Sequence, residues 1–345
     1  MTKFSATRVL SAALIVVAVV ASALLAWRLS NVLLLGFAGV LVAVFLRACA
    51  DLVHRFTRLP EGWALALVLV LLVALTGAGG WLLLPPLVGQ LEQFVSNLPN
   101  LVEQLETQLN AVPALQSLTQ QAPSLDTLVS RATELAAGLS GTLFTTASVT
   151  VNALSNVLLV FVTGIFFAAN PKLYRHDLVR LVPPASRDRA RQLIGELGKT
   201  LRVWLVGQLA AMALVGVFTF LGLWLAGVPY ALVLGVAAGL LDFIPFLGPV
   251  LAAVPGLLVA LTSGGVSTAA WALVVYVVVQ QLEGNVFQPL IQQEAVAIPP
   301  AALVLALVAS GALFGLLGLL VATPLLALAI VLVKELYVKR LERTK

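Results

Sequence analysis

The chain has 345 residues and a formal net charge of +5. Hydrophobic residues make up 61% of it and charged residues only 10%, with a mean hydropathy of +1.06. Soluble domains carry about 25% charged residues, so a water-soluble core is excluded and a polytopic membrane protein is expected. The excess of bases is no nucleic-acid signal. It sits in short stretches between apolar runs, where Lys and Arg set membrane orientation.

The first predicted span is Val9–Trp27. A second follows at once at Val32–Ala50, so the first reads as a retained helix rather than a cleaved signal. A third is expected at Trp63–Leu84. Each approaches the ~20 residues that cross a bilayer. A polar stretch then runs from Pro85 to Ala147. Within it Leu91, Leu98, Leu105 and Val112 recur at heptad spacing, with Phe94 and Leu101 between them, as a helix with one apolar seam requires. Asn97 before Pro99 predicts a helix break there. The seam fits a hairpin packing on itself, a contact between copies in a homo-oligomer, or a helix lying on the outer membrane face.

A fourth span is predicted at Ser148–Ala169 and a basic stretch at Asn170–Arg202. In the latter, Leu193, Ile194, Leu197, Leu201 and Trp204 share one helical face. An interfacial helix touching anionic lipid is expected there. The remaining apolar pieces are Val203–Gly227, Tyr230–Thr262, Val266–Leu282 and Ala301–Val333. Five of the six tryptophans fall near ends of these runs, as interfacial anchors do. The organisation reads as N-terminal helices (1–84), an extracytoplasmic helical insertion (85–147), one span (148–169), a cytoplasmic basic segment (170–202), a C-terminal core (203–333) and a tail (334–345). The fold class is an all-α transmembrane bundle.

Charge alternation orients it. Lys3 and Arg8 precede the first span, and Arg47, Arg55 and Arg58 lie between the second and third. The stretch from Pro85 to Ala147 holds Arg131 alone against five acids. The stretch from Asn170 to Arg202 holds eight bases against three acids, and the tail after Val333 holds five bases. Both termini and the basic segment are therefore expected in the cytoplasm, with the acidic stretch outside.

Two motifs fail. Gly195 to Thr200 reads GELGKT, but the glycine that a phosphate loop needs five positions before Gly198 is Leu193. His54 and His176 have no further ligand at metal spacing. With one cysteine, Cys49, no internal disulfide forms. No constellation asks for an enzyme, a cofactor or a metal.

The informative block is Val203–Val333. Its 131 residues hold no Lys or Arg and three charges, Asp242, Glu283 and Glu294. A carboxylate at the bilayer centre costs on the order of 3 kcal/mol by insertion scales. Such a group faces a cavity, takes a proton, binds a cation or reaches the interface. Asp242 is followed by Pro245, Gly248 and Pro249, which preclude a continuous helix. Broken backbone at membrane depth lines cavities or is buried in protein, and in transporters it forms substrate sites.

A second stretch echoes the first. Pro229–Leu234 resembles Pro300–Leu305. The break at Asp242–Pro249 matches one at Gly311–Gly318, and Pro255 matches Pro324, at offsets of 71, about 70 and 69 residues. If each broken piece is a re-entrant hairpin the units are inverted; if each crosses, they are parallel. Each piece holds 33 residues, long for one crossing and suited to a hairpin. Between the units, Gln280, Gln281, Glu283, Asn285 and Gln288 cluster before Pro289. They are either ligands for a cation or hydrophilic solute, or a solvated helix end.

At these residues the chain resembles the autoinducer-2 exporter family of bacterial membrane proteins. The likeness rests on Gly239, Asp242, Ile244-Pro245, Gly248-Pro249 and Pro255; on Gln281, Glu283, Asn285 and Pro289; and on Pro299, Gly311, Phe314-Gly315, Gly318, Ala322 and Pro324. It implies an oligomeric, multi-pass transporter of the inner membrane. Some members are associated with autoinducer-2 export, and others look like sodium(lithium)/proton antiporters. Three functions follow as expectations. The first is ion-coupled export of a small hydrophilic solute. The second is cation/proton antiport through Asp242 and Glu283. The third is a scaffold acting through the outer heptads. The transport and ion-site candidates are Asp242, Pro245, Gly248, Pro249, Gln281, Glu283, Asn285, Pro289, Gly311, Gly315, Gly318 and Pro324. The oligomer-contact candidates are Leu91, Leu98, Leu105 and Val112.

Overall fold

The computed structural model describes residues 28–110, 147–287 and 298–338, with Leu14, Val17, Leu24 and Leu25 before them. Most of the expected first span, Val112, Gln288, Pro289 and Glu294 lie outside the described residues, as do the side chains of Leu91, Leu98 and Leu105. The described chain is helical: α1 (Ser30–Thr57), α2 (Glu61–Asn110), α3 (Ala147–Ala169), α4 (Pro171–Arg180), α5 (Arg187–Leu225), α6 (Ala231–Leu241), α7 (Leu247–Leu282) and α8 (Pro300–Val333). Among the described residues five helices are long and apolar enough to cross a membrane, or six if the bent pair of α3 and α4 counts as one. Large apolar side chains such as Val70, Trp81, Leu158 and Leu225 stand exposed on them. Helices satisfy their own backbone and can present such faces to lipid.

Two helices run on where the sequence predicts a boundary. α2 continues for 50 residues through Pro85, Pro86 and Pro99, about 75 Å at 1.5 Å per residue. The expected break at Asn97–Pro99 is absent. Proline frees the carbonyl one turn earlier; for Pro85 and Pro86 these belong to Trp81 and Leu82, whose residues are exposed. α5 joins the basic segment to the fifth span as one helix of 39 residues. The loss of charge at Val203 marks a change of solvent, not a helix end. The GELGKT stretch is part of this helix. So is the Leu193–Leu201 face, whose last residue is buried with Leu41 and Trp204. The piece that turns aside is α4, bent by 85° from α3.

Side-chain bonds define one basic end of the bundle. Arg47 donates from Nε to the Ala168 carbonyl (2.6 Å) and from Nη2 to the Ala169 carbonyl (3.2 Å), satisfying the last carbonyls of α3. Its Nη1 pairs with Glu61 at the start of α2 at 3.2 Å. Arg202 pairs with Asp51 of α1. Arg189 donates to the Glu335 carbonyl just beyond α8, at 2.7 Å. At the opposite end α2 meets the start of α6. Asn97 Nδ2 donates to the Tyr230 hydroxyl at 3.0 Å, and Phe94 packs edge-on to the Tyr230 ring at 6.0 Å.

The C-terminal elements are two helical hairpins. The first consists of α6 and the start of α7. Its open end gathers Ala231 and Leu234 with Val259 and Ala260, beside Leu223. Its tip is a tight reversal. The Leu247 N–H bonds the Pro245 carbonyl at 2.8 Å around Phe246 at φ 64, ψ −45, the rare and strained positive-φ form of γ-turn. The second hairpin is α8, which turns at Gly315 (φ 60, ψ −142), a conformation that favours glycine. Two contacts prove the reversals. A methyl on Gly248 would lie 2.0 Å from the Leu241 carbonyl oxygen, and one on Gly318 would lie 2.0 Å from the Ser310 carbonyl oxygen. In a straight helix, residues 310 and 318 would be about 12 Å apart along the axis. The first hairpin opens at the end where Phe94 sits, and the second at the basic end beside Arg189. The two hairpins are inverted.

Small residues make the close packing. Gly235 and Gly239 of α6 form a G-x-x-x-G stripe against α5, where a methyl on Gly239 would lie 2.6 Å from the Met212 carbonyl oxygen. On α3, a methyl on Gly164 would meet Val42 of α1 at 2.6 Å. Small-x-x-x-small faces are the usual way helices approach in lipid. After Gly265 (φ 68), α7 returns along α5: Val275 fills the gap over Gly222, and Val279 joins Val215 in one apolar cluster.

Candidate functional site

The site assembles at the tip of the first hairpin. α6 ends at Leu241 because Pro245 supplies no donor and because the chain tightens to i→i−3 bonds, the Phe243 and Ile244 N–H groups closing onto the Leu240 (3.3 Å) and Leu241 (2.9 Å) carbonyls. This leaves Asp242 as the last residue before the reversal, 4% exposed. Glu283 stands where α7 passes into the π-helical turn Glu283–Phe287, 7% exposed. The two carboxyl groups, 41 positions apart in the chain, lie within hydrogen-bonding reach of each other.

Amides surround the pair. Gln280 Nε2 donates to Glu283 Oε2 at 2.6 Å. Gln208, buried in α5, donates to the Asp242 backbone carbonyl at 2.9 Å, tying the tip to a spanning helix. Among the described residues, Asp242 Oδ2 and the Thr323 hydroxyl are buried with no hydrogen-bond partner. The second hairpin reaches the same tip. Ile244 packs in one core cluster with Leu307 and Ala322, and Phe243 packs with Trp204 and near Leu328.

The other sequence candidates divide. Gly248 and Gly318 are buried at the two tips and Pro324 is fully buried, while Pro245, Pro249 and Gly311 are half-buried. Gly315 is the exposed turn of the second hairpin. Gln281 and Asn285 are exposed, and Asn285 Nδ2 donates to the Gln281 carbonyl at 3.1 Å within its own helix, so they stand apart from the carboxyl pair. Gln208 and Thr323 were not singled out from the sequence. A lone amide between Val203 and Leu225 was the available signal for Gln208.

Among the described residues no group of three or more His, Cys, Asp or Glu gathers as metal ligands. His54 Nδ1 meets the Leu59 carbonyl. A cleft of about 350 Å³ opens between α5 and α6, lined by Leu209, Met212, Phe220, Leu232 and Val236 among others. It is apolar, and neither carboxylate lines it.

A polytopic helical protein with two inverted hairpins meeting at a buried carboxyl pair has the build of a membrane transporter. Residues 13–338 match the model described as AI-2E family transporter, and the chain belongs to that family. Its relatives carry class names without a stated cargo. A Bacillus subtilis protein named as transport protein YueF is 27% identical over 278 residues, covering 78% of this chain and 75% of its own length. A Mycobacterium tuberculosis protein named as transport protein MT0215 is 32% identical, covering 76% and 72%. An Escherichia coli protein named as permease PerM is 30% identical, covering 77% and 76%.

Proposed function

We propose that the chain is a secondary transporter of the bacterial inner membrane that exports a small hydrophilic solute, of the autoinducer-2 kind, in exchange for an ion. The observation that carries this reading is the meeting of Asp242 and Glu283 at the tip of one hairpin, where the second hairpin also packs. Two carboxyl groups in contact in an apolar interior keep that contact with a proton shared between them or a cation bridging them. Either state couples the hairpin tips to an ion gradient. Bases concentrated at one end support a cytoplasmic placement of that end and of both termini. The first hairpin then enters from outside and the second from the cytoplasm, both re-entrant: the arms of α8 measure about 22 and 27 Å at 1.5 Å per residue, short of the ~30 Å hydrocarbon core.

A second reading, sodium(lithium)/proton antiport with no organic solute, is favoured by the same carboxyl pair. Proteoliposomes separate the two. A sodium or lithium gradient is imposed on the purified protein and internal pH is read, with wild type beside Asp242→Asn. Cation-driven proton movement that disappears in Asp242→Asn supports antiport. No movement in correctly folded wild type eliminates it and turns the search to labelled hydrophilic solutes. Full activity of Asp242→Asn in both assays would overturn the role given to the pair.

A further inference from the structure

α4 has no part in the carboxyl site, yet its geometry is specific. Its ten residues hold Lys172, Arg175 and Arg180 against one acid, Asp177, and it lies at 85° to α3. A helix perpendicular to a span, at the end of that span, runs in the plane of the membrane surface. Which face it turns to lipid is fixed by a ring contact: Tyr174 packs edge-on to Phe167 of α3, centroids 4.8 Å apart. Tyr174, Leu178 and Leu181 stand at i, i+4 and i+7, so they form one stripe on the side facing the span. Leu178 is 54% exposed and Leu181 83% exposed. Away from the stripe Val179 is buried and the exposed Arg175 reaches Gly198 of α5 with its guanidinium.

We propose that α4 is an in-plane anchor. Its Tyr174–Leu178–Leu181 stripe sits in the leaflet at the basic end of the bundle, and Lys172 and Arg180 hold anionic lipid headgroups. The inference needs only the membrane class, not the cargo. An amphipathic helix binds a surface through buried apolar area plus attraction to anionic lipid. Each base near such a surface adds to that attraction, and Lys172 and Arg180 stand on the polar face of the helix, away from the stripe. The occupant is lipid rather than a protein groove, because the stripe begins on a side chain that already touches the membrane-spanning helix.

The test is a depth measurement. A nitroxide is placed at Leu181→Cys in full-length protein carrying Cys49→Ala and reconstituted in vesicles of phosphatidylcholine with phosphatidylglycerol, or of phosphatidylcholine alone. The expected result is collision with oxygen in preference to a water-soluble nickel chelate, and a deeper position in the anionic vesicles. Lys172→Gln with Arg180→Gln should erase the difference between the vesicles. A label at Glu196→Cys, on the exposed face of α5, should report water in both. Leu178→Cys gives the same readout should Leu181→Cys disturb the protein. Nickel-dominated collisions at both stripe positions would overturn the anchor. Exclusion of both reagents would overturn it in favour of a protein partner, and equal depth in the two vesicles would overturn the headgroup contact.

Discussion

Gly248 and Gly318 hold equivalent posts, each under the carbonyl of the opposing arm of its own hairpin. Because a methyl there would lie 2.0 Å from an oxygen, Gly248→Ala and Gly318→Ala should each destabilise the protein by roughly 1–3 kcal/mol, the usual penalty of overpacking. Gly195, where an added methyl would meet no other described group within 4 Å, is the control: Gly195→Ala in the exposed helix should stabilise by about 0.5–1 kcal/mol. Thermal unfolding in detergent ranks all three. Gln208→Ala should leave the Asp242 carbonyl unsatisfied at a cost of about 1–3 kcal/mol and slow transport along with it, read by the same unfolding assay and by flux. The glycines were legible in the sequence because a repeat at an offset of about 70 residues pairs them. The contact between Asp242 and Glu283 was not, since their meeting depends on α7 turning at Gly265 and running back along α5. No local spacing encodes that return.

At the scale of elements, the sequence located the apolar segments well and the helix ends poorly. Spans are legible because hydropathy changes sharply at the membrane boundary. Helix ends are not, because backbone hydrogen bonding does not respect that boundary: nothing between Arg187 and Leu225 breaks a helix. The same blindness hid the 50-residue length of α2 and its grip on the first hairpin. Gln90, Phe94 and Asn97, at i, i+4 and i+7, all reach the start of α6, Gln90 by accepting from the Val233 N–H at 3.4 Å. Asn97→Ala should cost about 0.5–1.5 kcal/mol, the net value of one hydrogen bond, and Phe94→Ala a similar amount through the lost ring pair. Hydrogen exchange should show faster opening at residues 228–234 in both variants, with α1 and α3 unchanged. Unchanged protection at 228–234 would mean that the grip is not a restraint.

For the whole molecule, the ends differ in chemistry as well as in charge. The basic end is laced by arginines that bridge α1 to α2, α3 and α5, whereas the opposite end is joined by amides and aromatic rings. A single cysteine at Ser96, in a Cys49→Ala chain, should react with a membrane-impermeant maleimide in intact cells. One at Arg187 should react only after permeabilisation. The reverse pattern would invert the topology proposed from the bases.

The first hairpin is fastened very unequally along its length. At its open end α2 grips it through Tyr230 and Val233, and α5 packs on the length of α6 glycine to backbone at Gly235 and Gly239. At its tip it rests on apolar side chains, on the Gln208 amide and on the contact between Asp242 and Glu283. A beam clamped at its root and lightly supported at its free end deflects most at that end. Asp242 rides there, at the point of longest stroke, so a small change at α2 would reach its contact with Glu283 enlarged.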